Sequence, residues 1–205
     1  MKETDFLKNL SKESDYPLTE ELWQYIQENS EEVRAAKGEA IIGIGSYNPD
    51  FYIIRSGIVR GYMIENDKET NIYFGMEGTV VNSMQCFSFG EPSILRIEAA
   101  VASRFLRISK ENYDMMVGES PEFCRWMSGV FSRRNAYAEK KAKIMDGDAL
   151  WRYEWLRKCR PELLDNVPLK AIASYLNMTE VHVSRIRKRI ADSGRWTEQE
   201  LNNKN

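Results

Sequence analysis

Between Val167 and Ile190 the chain reads VPLKAIASYLNMTEVHVSRIRKRI, and few folded arrangements satisfy that spacing. Ile172, Tyr175 and Leu176 recur at i, i+3 and i+4, which puts one apolar stripe on a short helix. Pro168 suits the first position of that helix, where its missing N–H has no helical partner to lose. Asn177 stands where a tight turn needs positive φ, a conformation Asn tolerates better than most non-glycine residues. Thr179 then serves as N-cap of a second helix running to about Ala191. Ala173 is the small residue at which the two helices touch. Ile172, Leu176, Met178, Val183 and Ile186 supply the apolar surroundings.

This spacing predicts a helix-turn-helix. Its second helix leaves Thr179, Glu180, His182, Ser184, Arg185 and Lys188 on the outer side, with Arg187 and Arg189 nearby. Such a set of donors can reach base edges and phosphates in a major groove. A helical hairpin with a merely solvated basic face is the plainer reading, and charge alone favours it. The combination of small contact residue, turn residue, cap and outward donors favours double-stranded DNA.

The phrase IASYLNMTEVHVSRIRKRI, above all Ser184-Arg185-Ile186, resembles the helix-turn-helix of the Crp/Fnr family of bacterial transcription regulators. The resemblance implies that Arg185 reads a base and that Glu180 and Val181 help choose the site. Val181 stands where many members carry glutamate, so the preferred DNA sequence does not carry over from better-known relatives.

The 205 residues accommodate one large domain or two modest ones. Hydrophobic content of 42% supports a packed core, and 29% charged residues fit a soluble protein. No stretch approaches the unbroken apolar run of roughly 18 residues that a membrane span needs. The opening MKETDFLKNLSKESDY is polar and lacks a signal-peptide core, so a cytoplasmic protein with no membrane partner is expected. A net charge of −2 looks unsuited to DNA until it is mapped. Residues 1–32 hold nine acidic against three basic residues, while residues 168–195 hold six basic against two acidic. The positive field therefore concentrates at the C-terminal end.

Cys86, Cys124 and Cys159 are scattered and read as free thiols of a reducing compartment. Some Crp/Fnr members sense oxygen through an iron–sulfur cluster, which needs about four cysteine ligands. His182 is the only histidine, so neither a metal site nor a haem ligand is expected, and no cofactor is assigned.

Along the chain, residues before Tyr16 read as a frayed lead-in. Thr19 caps a helix that carries Leu22, Trp23 and Ile26, with Leu18 stapled against Trp23. From Lys37 the period shortens. Residues 40–44, 51–54, 57–64, 71–74, 79–81, 94–102 and 104–108 form short β-rich runs punctuated by Gly38, Gly45, Asn48-Pro49, Gly57 and Asn66-Asp67. Many short strands at regular spacing imply a barrel or jelly roll. KGEAIIGIGSYNPDFYIIRSGIVRGY and EAAVASRFLRISKENYDMM also resemble the opening and closing of the Crp/Fnr cyclic-nucleotide-binding-like roll. The resemblance runs from about Leu18 to Ile190.

Ser120-Pro121 starts a long helix reaching about Met145, broken by Asp146-Gly147-Asp148. Met127, Val130, Tyr137 and Ile144 fit a three-four repeat, interrupted by Arg134 and Lys141 and widened by Trp126 and Phe131. A helix lying on its own roll is the plainer alternative. In the family this helix pairs with its twin, and Met127, Val130, Phe131, Tyr137 and Ile144 are taken as the dimer seam. Asp148 caps the next helix, from Ala149 to about Cys159, whose Leu150, Trp151, Trp155 and Leu156 pack beneath the helix-turn-helix. The tail ADSGRWTEQELNNKN is short and polar for the two-stranded wing that many members add, so the wing is taken as reduced or absent.

The family's cyclic-AMP binders hold the ribose with a Gly-Glu pair and the phosphate with an Arg-Ser pair. Aligned on Gly78-Thr79-Val80-Val81, the first pair is replaced by Asn82-Ser83; counted back from Arg107-Ile108-Ser109, the second is replaced by Ser93-Ile94. Arg96 enters the pocket only after a strand shift. Asn135 is a further pocket candidate from the long helix, with an exposed Asn as the plainer alternative. The effector is accordingly expected to be something other than cyclic AMP, or none.

The expected architecture is α+β. A jelly-roll-like sensor domain spans 1–119, a dimerisation helix and hinge 120–146, and a helix-turn-helix domain 147–205. The expected function is a non-enzymatic, homodimeric regulator that binds an imperfect DNA palindrome, with RNA polymerase and an unidentified small molecule as further partners. A cupin-like enzyme would need several histidine ligands. A cyclic-nucleotide-binding module acting on a protein partner would leave the helix-turn-helix idle.

Overall fold

The computed structural model describes residues 3–193, which divide into two compact units, one ending at Lys141 and the other beginning at Ala142. The first unit is a β-roll. Strands β1 (Glu31–Ala35), β2 (Ala40–Ile42), β3 (Phe51–Ser56), β4 (Ile58–Glu65), β5 (Lys68–Met76), β6 (Val80–Val81), β7 (Arg96–Ala99) and β8 (Ser103–Ile108) make two antiparallel four-stranded sheets. One sheet runs in the order β1-β8-β3-β6 and the other β2-β7-β4-β5.

The run Phe51-Tyr52-Ile53-Ile54 shows why β3 is apolar without alternation. Tyr52 and Ile54 point between the sheets, where they meet Ile42, Val59, Ile97 and Phe105. Phe51 and Ile53 point the other way, into a second core with Val80 and Ile108 that helices cover. A strand buried on both faces has no polar side to show. Those helices are α1 (Glu3–Leu10), α2 (Glu20–Glu28), α3 (Lys110–Glu119) and the first half of α4 (Pro121–Met145). Caps set their starts: Thr19 accepts from Leu22 N–H at 3.2 Å, Ser109 from Asn112 N–H at 3.1 Å and Ser120 from Phe123 N–H at 3.1 Å.

The segment before Tyr16 is not a frayed lead-in. Phe6 and Leu10, one turn apart on α1, are buried in the helix-covered core. Arg55 fastens this helix to the roll: both Glu3 carboxylate oxygens accept from it, at 2.8 and 2.9 Å, and its guanidinium lies 4.2 Å from the Phe6 ring centroid. The acidic composition masked an apolar pair that only the roll surface makes worth burying. Gly78 fixes how closely α1 approaches. Its φ is +86°, and an added Cβ would lie 2.7 Å from the backbone of Asn9 and Leu10. Gly78→Ala is expected to lever α1 off the roll, with faster amide exchange across residues 5–12 than in the unchanged protein.

The strand β1 was not foreseen, because its residues are mostly polar and exposed; it pairs only with β8, at the sheet edge. Residues 94–102 yield a shorter strand than expected, Arg96–Ala99, and residues 71–74 a longer one, Lys68–Met76.

The second unit contains α5 (Ala149–Cys159), α6 (Pro161–Asn166), α7 (Leu169–Tyr175) and α8 (Glu180–Ser193). Asp148 caps α5 by accepting from Trp151 N–H at 2.8 Å. Pro161 opens α6, which the sequence reading left out. Pro168 sits one place before α7 rather than at its first residue. Tyr153, Leu156, Leu163, Ile172, Tyr175, Leu176 and Val183 are buried. The expected reduced wing falls on 194–205, outside the described residues.

Candidate nucleic-acid interface and effector pocket

The turn between α7 and α8 is built as its sequence dictates. Asn177 has φ of +53°, and the buried Ala173 gives its carbonyl to Met178 N–H at 2.8 Å. Thr179 caps α8 by accepting from His182 N–H at 3.2 Å. Arg152, on α5, donates to the carbonyls of Leu176 and Asn177 at 2.9 and 3.2 Å, fastening the turn from below. Nothing in the local sequence pattern announces that role, because a guanidinium reaching free carbonyls at a helix end depends on the tertiary packing.

Val183 and Ile186 turn α8 inward, leaving Thr179, Glu180, Val181, His182, Ser184, Arg185, Lys188 and Arg189 exposed. Arg185, Lys188, Arg189 and Asp192 line one shallow depression. Arg187 does not join that set. It reaches back to the Tyr153 hydroxyl at 3.2 Å and the Leu164 carbonyl at 2.8 Å, joining α8 to α5 and α6.

The long helix lies differently from the expected seam. Met127 and Val130, with Trp126, are buried in the roll's own helix-covered core. Phe131 packs partly against it, with its ring centroid 6.1 Å from that of Phe51. Tyr137 is half-buried and Ile144 buried. The outward line is rotated by one residue, through Cys124, Ser128, Asn135 and Ala138, all exposed. A helix presents both lines at the same spacing, so periodicity alone does not tell which one the roll takes.

Inside the roll, three of the six pocket candidates come close to one another and three do not. Asn82, Ser83 and Ser93 are all buried, and the Ser83 hydroxyl donates to that of Ser93 at 2.9 Å. Ser93 in turn donates to the Leu95 carbonyl at 2.9 Å. Ile94 is exposed. Arg96 pairs with Glu98 at 2.8 Å, and Asn135 is exposed with its amide donating to Glu139 one turn on. The residue that α4 does bring to this region is Arg134, whose Nη1 donates to Asn82 Oδ1 at 2.6 Å. Lys141 similarly donates to the Ile72 carbonyl. These two charges had looked like flaws in a coiled-coil seam; they fasten α4 to its own roll.

Tyr73, on β5, lies near Arg134. Burial pushes its phenol up to about 12, against the opposing influence of the Arg134 charge. Its hydroxyl is sealed from solvent and has no hydrogen-bond partner among the described residues. On the second sheet, Glu98 accepts from Arg60 at 2.8 Å, Arg96 at 2.8 Å and Tyr62 at 2.9 Å, while Arg60 also reaches Glu69 at 2.7 Å. Among the described residues, no group of His, Cys, Asp and Glu is arranged to hold a metal ion, and no helix is long and apolar enough to cross a membrane.

The order of elements, a roll, a long helix and then a helical unit in which two helices meet across a tight turn, is the one that the Crp/Fnr resemblance implied. Residues 32–120 match the family model of the cyclic nucleotide-binding domain. No curated protein sequence matches the chain. FixK2 from Bradyrhizobium japonicum superposes with a TM-score of 0.70 at 20% identity, covering 80% of this chain and 86% of that one. CLP from Xanthomonas campestris, described as a c-di-GMP-responsive global regulator, gives 0.65 at 17% identity over 84% and 91%. A regulator of the Crp/Fnr family from Eubacterium rectale gives 0.63 at 15% identity over 88% of each chain. At these identities the likeness is one of fold.

Proposed function

We propose that the chain is a dimeric, sequence-specific DNA-binding transcription regulator whose effector is not cyclic AMP. The observation that carries this reading is the outward face of α8, where Arg185, Lys188 and Arg189 stand beside Thr179, Glu180, His182 and Ser184. Arg187 is withheld from it and packed inward. A helix capped at its N-terminus and propped by α7 presents such donors to a major groove without reorganising.

The dimer forms along the exposed line of α4. Exposed Cys124, Ser128, Asn135 and Ala138, with half-buried Phe131 at the edge of the line, alternate steps of four and three, the spacing at which two helices supercoil around each other. Small side chains there let two backbones approach closely. Selection of bound genomic fragments followed by footprinting tests the reading. An imperfect palindrome with half-site centres about one helical turn, roughly 34 Å, apart is expected; protection of a single half-site would count against it.

Arg185→Ala is expected to lose about 1–3 kcal/mol of discrimination at one base pair. Lys188→Ala is expected to weaken all sequences together and lower the salt slope. Competition binding across a set of single-base operator variants separates the two. An unchanged base preference in Arg185→Ala would place the reading face elsewhere on α8.

Cyclic AMP is expected to bind poorly. Its phosphate needs charged donors, and at the aligned position Ser93 already spends its hydroxyl on Leu95 while Ile94 points to solvent. No carboxylate replaces the ribose anchor, because Asn82 is engaged by Arg134 and Ser83 by Ser93. Calorimetry with cyclic AMP and cyclic GMP decides this; micromolar binding of either would overturn it.

A further inference from the structure

Where the edges of the two sheets part, the roll holds a cleft of about 270 Å³. β1 ends one sheet and β2 the other, and no backbone ladder joins them. Val33 of β1, Ala40 and Ile41 of β2 and Phe105 of β8 give the cleft apolar walls, while Asn48, Asp50, Tyr52 and Arg107 make it polar at one part of its lining. No residue of α4 lines it, nor do Asn82, Ser83 or Ser93, so it is separate from the positions aligned with a cyclic-AMP site.

One donor in this cleft is left over. Tyr52 is only 5% exposed and its ring packs in the core between the sheets. Asn48 Nδ2 donates to its hydroxyl at 2.9 Å. The amide is held this way round, because Asn48 Oδ1 accepts from Asp50 N–H at 3.1 Å and Nδ2 also reaches the Ile41 carbonyl at 3.4 Å. An amide nitrogen only donates, so this bond takes a lone pair of the phenol oxygen and leaves the O–H itself to find an acceptor. None occurs among the described residues. The Asp50 carboxylate is committed to Arg107 Nε at 2.7 Å and Lys110 N–H at 3.0 Å. Burial pushes the Tyr52 phenol above its ordinary value, so the proton stays on at neutral pH.

We propose that this cleft binds a neutral, single-ring organic molecule whose carbonyl oxygen accepts the Tyr52 hydroxyl and whose ring lies against Val33, Ala40, Ile41 and Phe105. Size sets the ring count. A cavity of about 150 Å³ takes benzene, so this cleft has room for one ring with a short substituent. Charge sets the neutrality. Arg107 is balanced by Asp50 and Glu31, and Arg34 by Glu32, which leaves no cation in the lining to draw an anion. An ammonium group offers no acceptor to the Tyr52 hydroxyl. The site goes beyond the regulator reading and does not depend on α8 binding DNA. A ligand there touches β1 and β2 together, and so bridges sheet edges that the backbone leaves unjoined.

Calorimetry on the full chain without DNA tests the site. Acetophenone is the probe; ethylbenzene keeps the ring and lacks the acceptor, and sodium benzoate adds a charge at similar size. Saturable binding of one acetophenone per chain is expected, with ethylbenzene and benzoate each about fivefold weaker or more. Tyr52→Phe keeps the ring in the core and is expected to erase the preference for acetophenone over ethylbenzene, with an unchanged circular dichroism spectrum. Val33→Trp, on the edge strand, is expected to fill the cleft and abolish binding. Amide exchange across residues 31–35 is expected to slow when acetophenone is present. The proposal is overturned if acetophenone does not bind, if benzoate binds as well as it does, if a folded Tyr52→Phe keeps the preference, or if a folded Val33→Trp binds like the unchanged protein.

Discussion

Ala138→Arg is expected to separate the proposed dimer and leave the roll folded, whereas Trp126→Ala is expected to lower the melting temperature of the roll. The two positions lie on one helix but face different neighbours. Trp126 is fully buried in the helix-covered core, beside Phe123 and Met127. Removing an indole from such a site costs about 3–5 kcal/mol in lost burial and residual cavity, a fall in melting temperature of roughly 10 °C or more for a domain of this size. Ala138 is exposed. An arginine there meets only water in a single chain, but in the paired helices it sets two guanidinium groups face to face across the seam. Sedimentation and thermal melts on both variants give the answer. A dimeric Ala138→Arg protein would remove α4's exposed line as the pairing surface, and an unaltered melt for Trp126→Ala would contradict its place in the core.

Glu98→Gln is expected to destabilise the protein by about 3 kcal/mol near neutral pH. This carboxylate is almost wholly buried on the second sheet and is the common acceptor for Arg60, Arg96 and the Tyr62 hydroxyl. The side chain of Arg60 is itself only 16% exposed, so losing Glu98 leaves a desolvated guanidinium with Glu69 as its remaining carboxylate. Burial by itself pushes the Glu98 carboxyl up. The hydrogen bonds from Arg96, Arg60 and Tyr62 outweigh burial and hold it below its ordinary value of 4.5. A carboxyl lowered in the folded state contributes stability above its unfolded value, and that contribution is lost as pH falls through the folded one. Denaturant melts from pH 7 down through 4.5 are therefore expected to show a steeper acid loss for the unchanged protein than for Glu98→Gln. Parallel curves would mean that Glu98 contributes through shape rather than charge.

Where a residue's role depends on its immediate neighbours in the chain, the sequence determined it. Asn177 needed only the helix before it and Thr179 after it to be recognised as a left-handed turn residue. Ser120-Pro121 and Asp148 announced helix starts because capping is a matter of three residues. The glycine-punctuated strands implied a roll for the same local reason. Tertiary structure decided which of two equivalent faces a helix buries. On α4 the apolar line through Met127 and Val130 went to the roll, and the line one residue further round stayed outside. Both have the same period, and only the surface on offer distinguishes them. The same holds for charge. In the sequence Arg134 interrupted the expected seam, Arg187 stood near the outer side of the second helix and Arg152 carried no reading, yet each reaches inward to an oxygen supplied by a distant segment: Asn82, the Leu176 and Asn177 carbonyls, and Tyr153 with Leu164. A guanidinium on a flexible stem takes its partner from whatever the fold places within reach, and composition carries no trace of that choice. Phe6 and Leu10 were passed over in a segment read as a frayed lead-in, because two apolar residues among so many charges do not predict a helix in isolation. Their burial against the roll is what makes that helix stable.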